Sequence, residues 1–311
     1  MPANLRATVG ALGWVVLVAT RDAGVEGWGP VLVAFAALVL VPLVLELLVE
    51  SDETGFPAWG LQLARASQLP ASLLLGVACW LPSGVPAAIL ALPWVALAGL
   101  LAVVGILRLR RERFRRSFEG MYADVALVFF ALGGFWTGVD RAGVLPQKFD
   151  AATVASMAVH FHYAGLLLPL FAGLVQRELF VWRLAARAAV GVVLGVPALA
   201  FGVTATRLGW GTSLESAAGC GLALAGMAVG ILQVRIALDG RGELLTRTLL
   251  LVSGASLFVG LAFGAAYALR GSIGLGLATP QMHLIHGMLI AFGFGLGGVL
   301  GWRRMAARRQ G

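Results

Sequence analysis

Residues 85–107 read VPAAILALPWVALAGLLAVVGIL, and residues 108–116 read RLRRERFRR. The first stretch holds no charged side chain. It exceeds the roughly 20 mostly apolar residues that carry an α-helix across a bilayer. The second packs six arginines, Arg108, Arg110, Arg111, Arg113, Arg115 and Arg116, directly against its end. An apolar helix that stops at a block of arginine is the pattern of a membrane span with its basic end in the cytoplasm.

The same pattern repeats on either side. Apolar runs lie near 5–20, 28–49, 65–81, 85–107, 121–140, 151–176, 187–206, 213–235, 247–269 and 281–302. The first is short, and the third is diluted by Arg65 and Gln68. Ten spans leave only loops and tails, so the chain reads as one integral membrane domain. The fold class expected is an all-α polytopic transmembrane helical bundle. Composition agrees: 59% of the 311 residues are hydrophobic and 12% charged, against about 45–50% and about 25% in soluble domains. Residues 1–20 also fit a cleaved signal peptide, which would leave nine spans.

Charge sets the expected orientation. The 23 basic residues and net charge of +8 would suggest nucleic acid in a soluble protein. Here they sort by side. Threading from the Arg108–Arg116 block puts Arg6, Arg65, Arg177, Arg183, Arg187, Arg235, Arg241, Arg247, Arg303, Arg304, Arg308 and Arg309 inside, and Arg21, Arg141, Lys148, Arg207 and Arg270 outside. That split is 18 against 5. It implies ten spans with both termini cytoplasmic, with a lipid bilayer as partner and no nucleic acid. The block itself reads as a topogenic loop beside anionic headgroups. Cys79 and Cys220 lie in apolar runs without metal-site spacing. Trp28, Trp80, Trp210 and Trp302 fall near span ends as interfacial anchors. Prolines 42, 93, 169 and 197 free carbonyls inside spans. The six glycines of Gly287–Gly301 permit close helix packing.

Ionisable groups at membrane depth are the functional candidates. All four histidines qualify: His160 and His162 in VHFHY, His283 and His286 in QMHLIHG. In the threaded topology the first pair lies on the order of 15 Å from the outer helix end and His286 on the order of 9 Å, at 1.5 Å per residue. Residues two apart point to opposite faces of a regular helix, so His160 and His162 cannot share one metal, whereas His283 and His286 share a face. HLIHG lacks the glutamate of a zinc-protease helix. Imidazole serves as a ligand for haem or a transition metal, as an acid–base group, or as an interhelical hydrogen-bonding group. Weaker candidates are Glu46 and Asp124 at cytoplasmic ends, which reach toward water, and Asp140 and Glu215 at outer ends, beside Arg141 and Arg207. Tyr163 and Gln281 flank the histidines.

The string His160-Phe161-His162-Tyr163-Ala164-Gly165, with Leu168-Pro169 and Gly173, resembles the YndJ-like family of bacterial membrane proteins, as do His286-Gly287, Gly293-Phe294 and Gly301-Trp302. The likeness is best over roughly the C-terminal 190 residues. It implies a polytopic protein of the bacterial cytoplasmic membrane and transfers no activity. VHFHY is also similar to a string in haem–copper oxidase catalytic subunits, where the two histidines ligate different haems. The paired histidines of a copper site are absent here. That likeness implies at most one haem, between His160 or His162 and His283 or His286.

Three functions follow as expectations. One is a membrane-embedded enzyme or redox protein with a histidine-lined site in the outer half of the bilayer, using haem, metal or acid–base chemistry on an apolar or lipid-like small molecule. The second is a small-molecule or proton-coupled transporter. The third is a structural membrane protein whose histidines join helices.

Overall fold

A computed structural model describes residues 1–20, 27–48, 53–111, 118–180, 182–240, 242–270, 274 and 279–310. Every apolar run forms a helix. We number them α1 (Ala3–Thr20), α2 (Trp28–Leu47), α3 (Phe56–Trp80), α4 (Val85–Arg111), α5 (Phe118–Ala142), α6 (Ala151–Glu178), α7 (Arg183–Leu208), α8 (Ser213–Leu238), α9 (Leu244–Ala268) and α10, the run Thr279–Met288, Leu289–Gly297 and Gly298–Gln310. Among the described residues, nine of them are long and apolar enough to cross a membrane; α3 is the exception. The chain is an all-α polytopic membrane protein. The third expected span, near 65–81, is present within the 25-residue α3, but Arg65, Gln62 and Gln68 lower its apolar content.

The chain forms two compact units, Met1–Leu166 and Leu167–Gly311, with the boundary inside α6. The first unit is organised around α2. Its sequence is apolar on every side except at Glu46, and a helix apolar all round is buried. Val31 through Leu45 are accordingly all buried. Side chains from four neighbouring helices donate to its end and middle carbonyls. Trp14 of α1 bonds Val31 O at 2.9 Å, Tyr163 of α6 bonds Leu32 O at 2.8 Å, Gln68 of α3 bonds Ala37 O at 2.9 Å, and Arg108 of α4 bonds Leu48 O at 3.0 Å.

These bonds answer a local break. Residues Ala36–Leu40 are π-helical, with i→i+5 bonding. The Val41 N–H goes to Ala36 O, and Pro42 has no N–H. Ala37 O has therefore lost the two backbone donors that could reach it, and Gln68 replaces them. Two further π-helical stretches occur, Phe161–Leu167 in α6 and Leu289–Gly297 in α10. In the second unit Ser253 of α9 donates to Phe294 O at 2.9 Å, within the last of these stretches.

The second unit is tied together by close backbone approach. A Cβ on Gly230 of α8 would lie 2.7 Å from Gly254 O, and one on Gly254 of α9 would lie 2.5 Å from Gly230 O. Only glycine fits at both places, which is how small residues let membrane helices pack without a water-driven hydrophobic force.

Candidate functional site

His162 sits in the π-helical part of α6 and is 1% exposed. Its Nδ1 lies 2.8 Å from Ala158 O, and Trp94 Nε1 of α4 lies 3.1 Å from its Nε2. A carbonyl only accepts and an indole N–H only donates. Nδ1 therefore carries the proton and Nε2 offers its lone pair to Trp94. The Trp94 ring lies nearly parallel at 6.0 Å, Phe130 of α5 meets the imidazole edge-on at 5.2 Å, and a Cβ on Gly133 would stand 2.9 Å from Nδ1. Both nitrogens are engaged and both flanks are covered. Haem iron or a metal does not fit at His162, because the lone pair a ligand must supply is held by Trp94.

His160 ends the α-helical part of the same helix. It is half-buried, with the Phe161 ring 5.1 Å away edge-on. The regular-helix geometry expected for HFH is thus replaced by an α-to-π junction between the two residues. Tyr163 is buried on Leu32 O. In the second unit, His286 of α10 is half-buried and donates from Nδ1 to Gly260 O of α9 at 2.6 Å. The side chains of Gln281 and His283 lie outside the described residues, as do Arg21, Arg113, Arg115, Arg116 and Arg241. Among the described residues no three His, Cys, Asp or Glu side chains are grouped to hold a metal ion.

The carboxylates lie in ion pairs. Glu46 accepts from Arg6 at 3.3 Å and from Arg65 at 3.1 Å, and Arg6 also donates to Arg65 O. Asp124 is 1% exposed, so it does not reach to water as expected; Arg108 lies 3.5 Å away. Arg108 is itself 2% exposed. It belongs to the interior, not to the topogenic loop, and its Nε grips Glu53 at 2.6 Å. Asp140 pairs with Arg141 at 2.6 Å, and Arg141 donates on to Ala78 O and Leu81 O. Glu215 pairs with Arg270 at 3.4 Å instead of the expected Arg207, because Arg270 follows α9, which packs along α8.

The first unit therefore carries a charged layer at each end. Asp124 and Asp140 stand 16 residues apart on α5, about 24 Å at 1.5 Å per residue. The His162–Trp94–Phe130 cluster lies between them. Glu53, Trp94 and Gln68 were not expected as site residues. Pro42 was the available signal for Gln68, since a proline in a span requires a donor from elsewhere.

Comparison with known proteins gives the context. A model of the family described as YndJ-like protein matches residues 31–294. The chain belongs to the YndJ-like family. The match begins in α2, so it reaches well beyond the C-terminal 190 or so residues over which the motif resemblance is best. A relative from Bacillus subtilis (strain 168), described as "Uncharacterized membrane protein YndJ", is 30% identical over 224 residues, 68% of this chain and 38% of the relative. The chain thus spans well under half the length of that YndJ protein. No solved structure matches it. Like its relative, this YndJ-like chain is a multi-pass protein of the bacterial membrane.

Proposed function

We propose that this YndJ-like chain is a proton-coupled transporter of a small solute. The observation that carries the reading is the pair of buried charged layers, Arg108–Glu53–Asp124 and Asp140–Arg141, at opposite ends of one helical unit. Alternating access needs a closure on each side of a membrane-depth region, and buried ion pairs that can be traded for water are suited to both. Interrupted helices α2, α6 and α10 add support, since transporter sites form where helices are broken near the midplane. In this reading Asp124, Asp140, Glu46 and Glu215 hold the ends. His160 and His286, half-buried at membrane depth, carry the proton, histidine being the side chain that titrates near physiological pH. His162 holds α6 to α4.

The transport reading stands ahead of cofactor chemistry because the one lone pair of His162 is engaged by Trp94. Hydrolysis or redox chemistry at His160 and His286 on a lipid-like substrate is the outcome that the test would otherwise return. We further propose ten crossings with both termini inside. The charge split supports this, and so does the path of α3. One end of α3 meets the Arg108–Arg111 end of α4, through Glu53 and Thr54. At the other, the turn at Gly84 bonds Arg141 O at 2.8 Å. A helix that accompanies the spanning α4 from end to end crosses with it.

The test is a solute screen in proteoliposomes carrying an internal pH-sensitive dye. Some small solute is expected to move protons across the vesicle wall, and His160→Gln/His286→Gln is expected to abolish that movement in protein that still folds. Solute flux that survives the double substitution refutes proton carriage at these residues. A preparation that moves no solute, yet shows a Soret band or stoichiometric metal, refutes transport.

A further inference from the structure

The second unit presents one surface whose charge and apolar surface are separated along the membrane normal. On α7 the exposed residues Arg183, Arg187, Val190, Leu194 and Phe201 recur at spacings of four, three, four and seven, and so lie on one face. Two arginines one turn apart open that face. The next 14 residues, about 21 Å of helix, present only apolar side chains there. On the neighbouring α8, exposed Leu224 and Ile231 lead to exposed Arg235 and Leu238. The Arg235 guanidinium lies 4.0 Å from the centre of the Trp182 ring, the residue immediately before α7. Three cations and a tryptophan thus meet at one end of the α7–α8 pair.

The cations outnumber their partners. Arg235 reaches Asp239 at 3.7 Å. Arg183 and Arg187 have no ion-pair partner among the described residues. The two helices approach closely, a Cβ on Gly191 standing 2.9 Å from Ala225 Cβ, so their outer side chains border one shallow surface.

We propose that this surface is a binding site for an anionic phospholipid. The phosphate sits among Arg183, Arg187 and Arg235, and the acyl chains run along Val190, Leu194, Leu224 and Ile231. Guanidinium is the cation whose planar donors match phosphate oxygens. The apolar strip below the arginines selects a lipid over a soluble anion, which would leave that strip unused. A zwitterionic headgroup brings its own cation into the cluster and is disfavoured. The site stands apart from the transport reading and needs no part of it.

The full chain, purified in a neutral detergent, is titrated with phosphatidylglycerol, phosphatidylcholine or inorganic phosphate. Bound lipid is counted by native mass spectrometry and stability is followed by thermal unfolding. Phosphatidylglycerol is expected to bind and raise the unfolding temperature, and the other two are not. Each arginine near a membrane surface contributes about a fivefold gain in affinity for anionic lipid. Arg183→Gln/Arg187→Gln is therefore expected to weaken phosphatidylglycerol binding on the order of 25-fold. These residues are exposed, so the variant keeps its fold. Lys148→Gln, an exposed cation in the loop after α5, is expected to leave binding unchanged. Equal binding of phosphatidylcholine, equal stabilisation by phosphate, or an equal loss in Lys148→Gln overturns the proposal.

Discussion

Gln68 lies twelve residues from each end of α3, where an exposed amide would face the bilayer centre. It is fully buried instead, with its Nε2 on Ala37 O. Removing it leaves a carbonyl without a donor in a medium without water, a loss of about 1–3 kcal/mol. Gln68 Oε1 has no partner of its own, so its removal also relieves a cost, and the net falls at the lower end. Gln68→Leu is thus expected to destabilise by about 1 kcal/mol, read from denaturation in mixed micelles. The cause is testable through Pro42. Pro42→Ala returns a backbone N–H to the broken turn, which gives the freed carbonyls a local donor. In that background the cost of Gln68→Leu is expected to fall by more than half. An unchanged cost would mean that the bond is incidental to the proline. Arg108 is the opposite case, with two carboxylates and Leu48 O around a cation that is 2% exposed. Arg108→Gln is expected to cost about 3–5 kcal/mol, because buried carboxylates lose their counter-charge.

At the scale of the helices, nearly everything regular was legible in the sequence, because a run of apolar residues in a bilayer has no option but to bond its own backbone. All ten runs became helices for that reason. The π-helical stretches were not legible. In α2 the stretch depends on Pro42 together with a donor that arrives from α3, and no local pattern encodes the pairing. The site divided in the same way. HFHY stood out as polar residues in an apolar helix, yet the Trp94 that fixes the tautomer of His162 reads in sequence as one more apolar residue of α4. Arg108 looked topogenic because it begins an arginine block, and only its contacts with Glu53 and Asp124 place it inside. The helix on which composition and packing differ is α3. Apart from Gln62, its large exposed side chains, Phe56, Trp59, Leu63, Leu73, Leu74, Val77 and Trp80, are apolar, and aromatic at both ends. That is the surface of a spanning helix with interfacial belts. Of single cysteines at Thr54 and Ser83, in a Cys79→Ala/Cys220→Ala background, only Ser83→Cys is expected to react with a membrane-impermeant maleimide in intact cells, and Thr54→Cys only after lysis. Labelling of both from one side would remove α3 from the crossings.

For the molecule as a whole, the crossing number and the charge asymmetry constrain one another. Three of the basic residues counted toward orientation are buried and paired with carboxylates: Arg6 with Glu46, Arg108 with Asp124 and Glu53, and Arg141 with Asp140. They are poor orientation signals, since their charge is neutralised within the fold. Without them the split of 18 against 5 becomes 16 against 4, so the orientation does not rest on misassigned interior arginines. The remaining bias fixes which side holds the arginine-rich end of α10, whereas the side that holds Met1 depends on parity. Ten crossings put both ends inside, and nine put them on opposite sides. Alkaline phosphatase, active only outside, is therefore expected to be active when fused after Pro146 and inactive after Gly311. A fluorescent protein that matures only inside is expected to glow at the N-terminus as well as the C-terminus. An active phosphatase after Gly311 would overturn the charge-based orientation. A dark N-terminal fusion beside a fluorescent C-terminal one would leave the orientation intact and reduce the crossings to nine. In that event α3 would lie along the membrane surface, whereas the two charged layers, both carried by the spanning α5, would still face opposite sides.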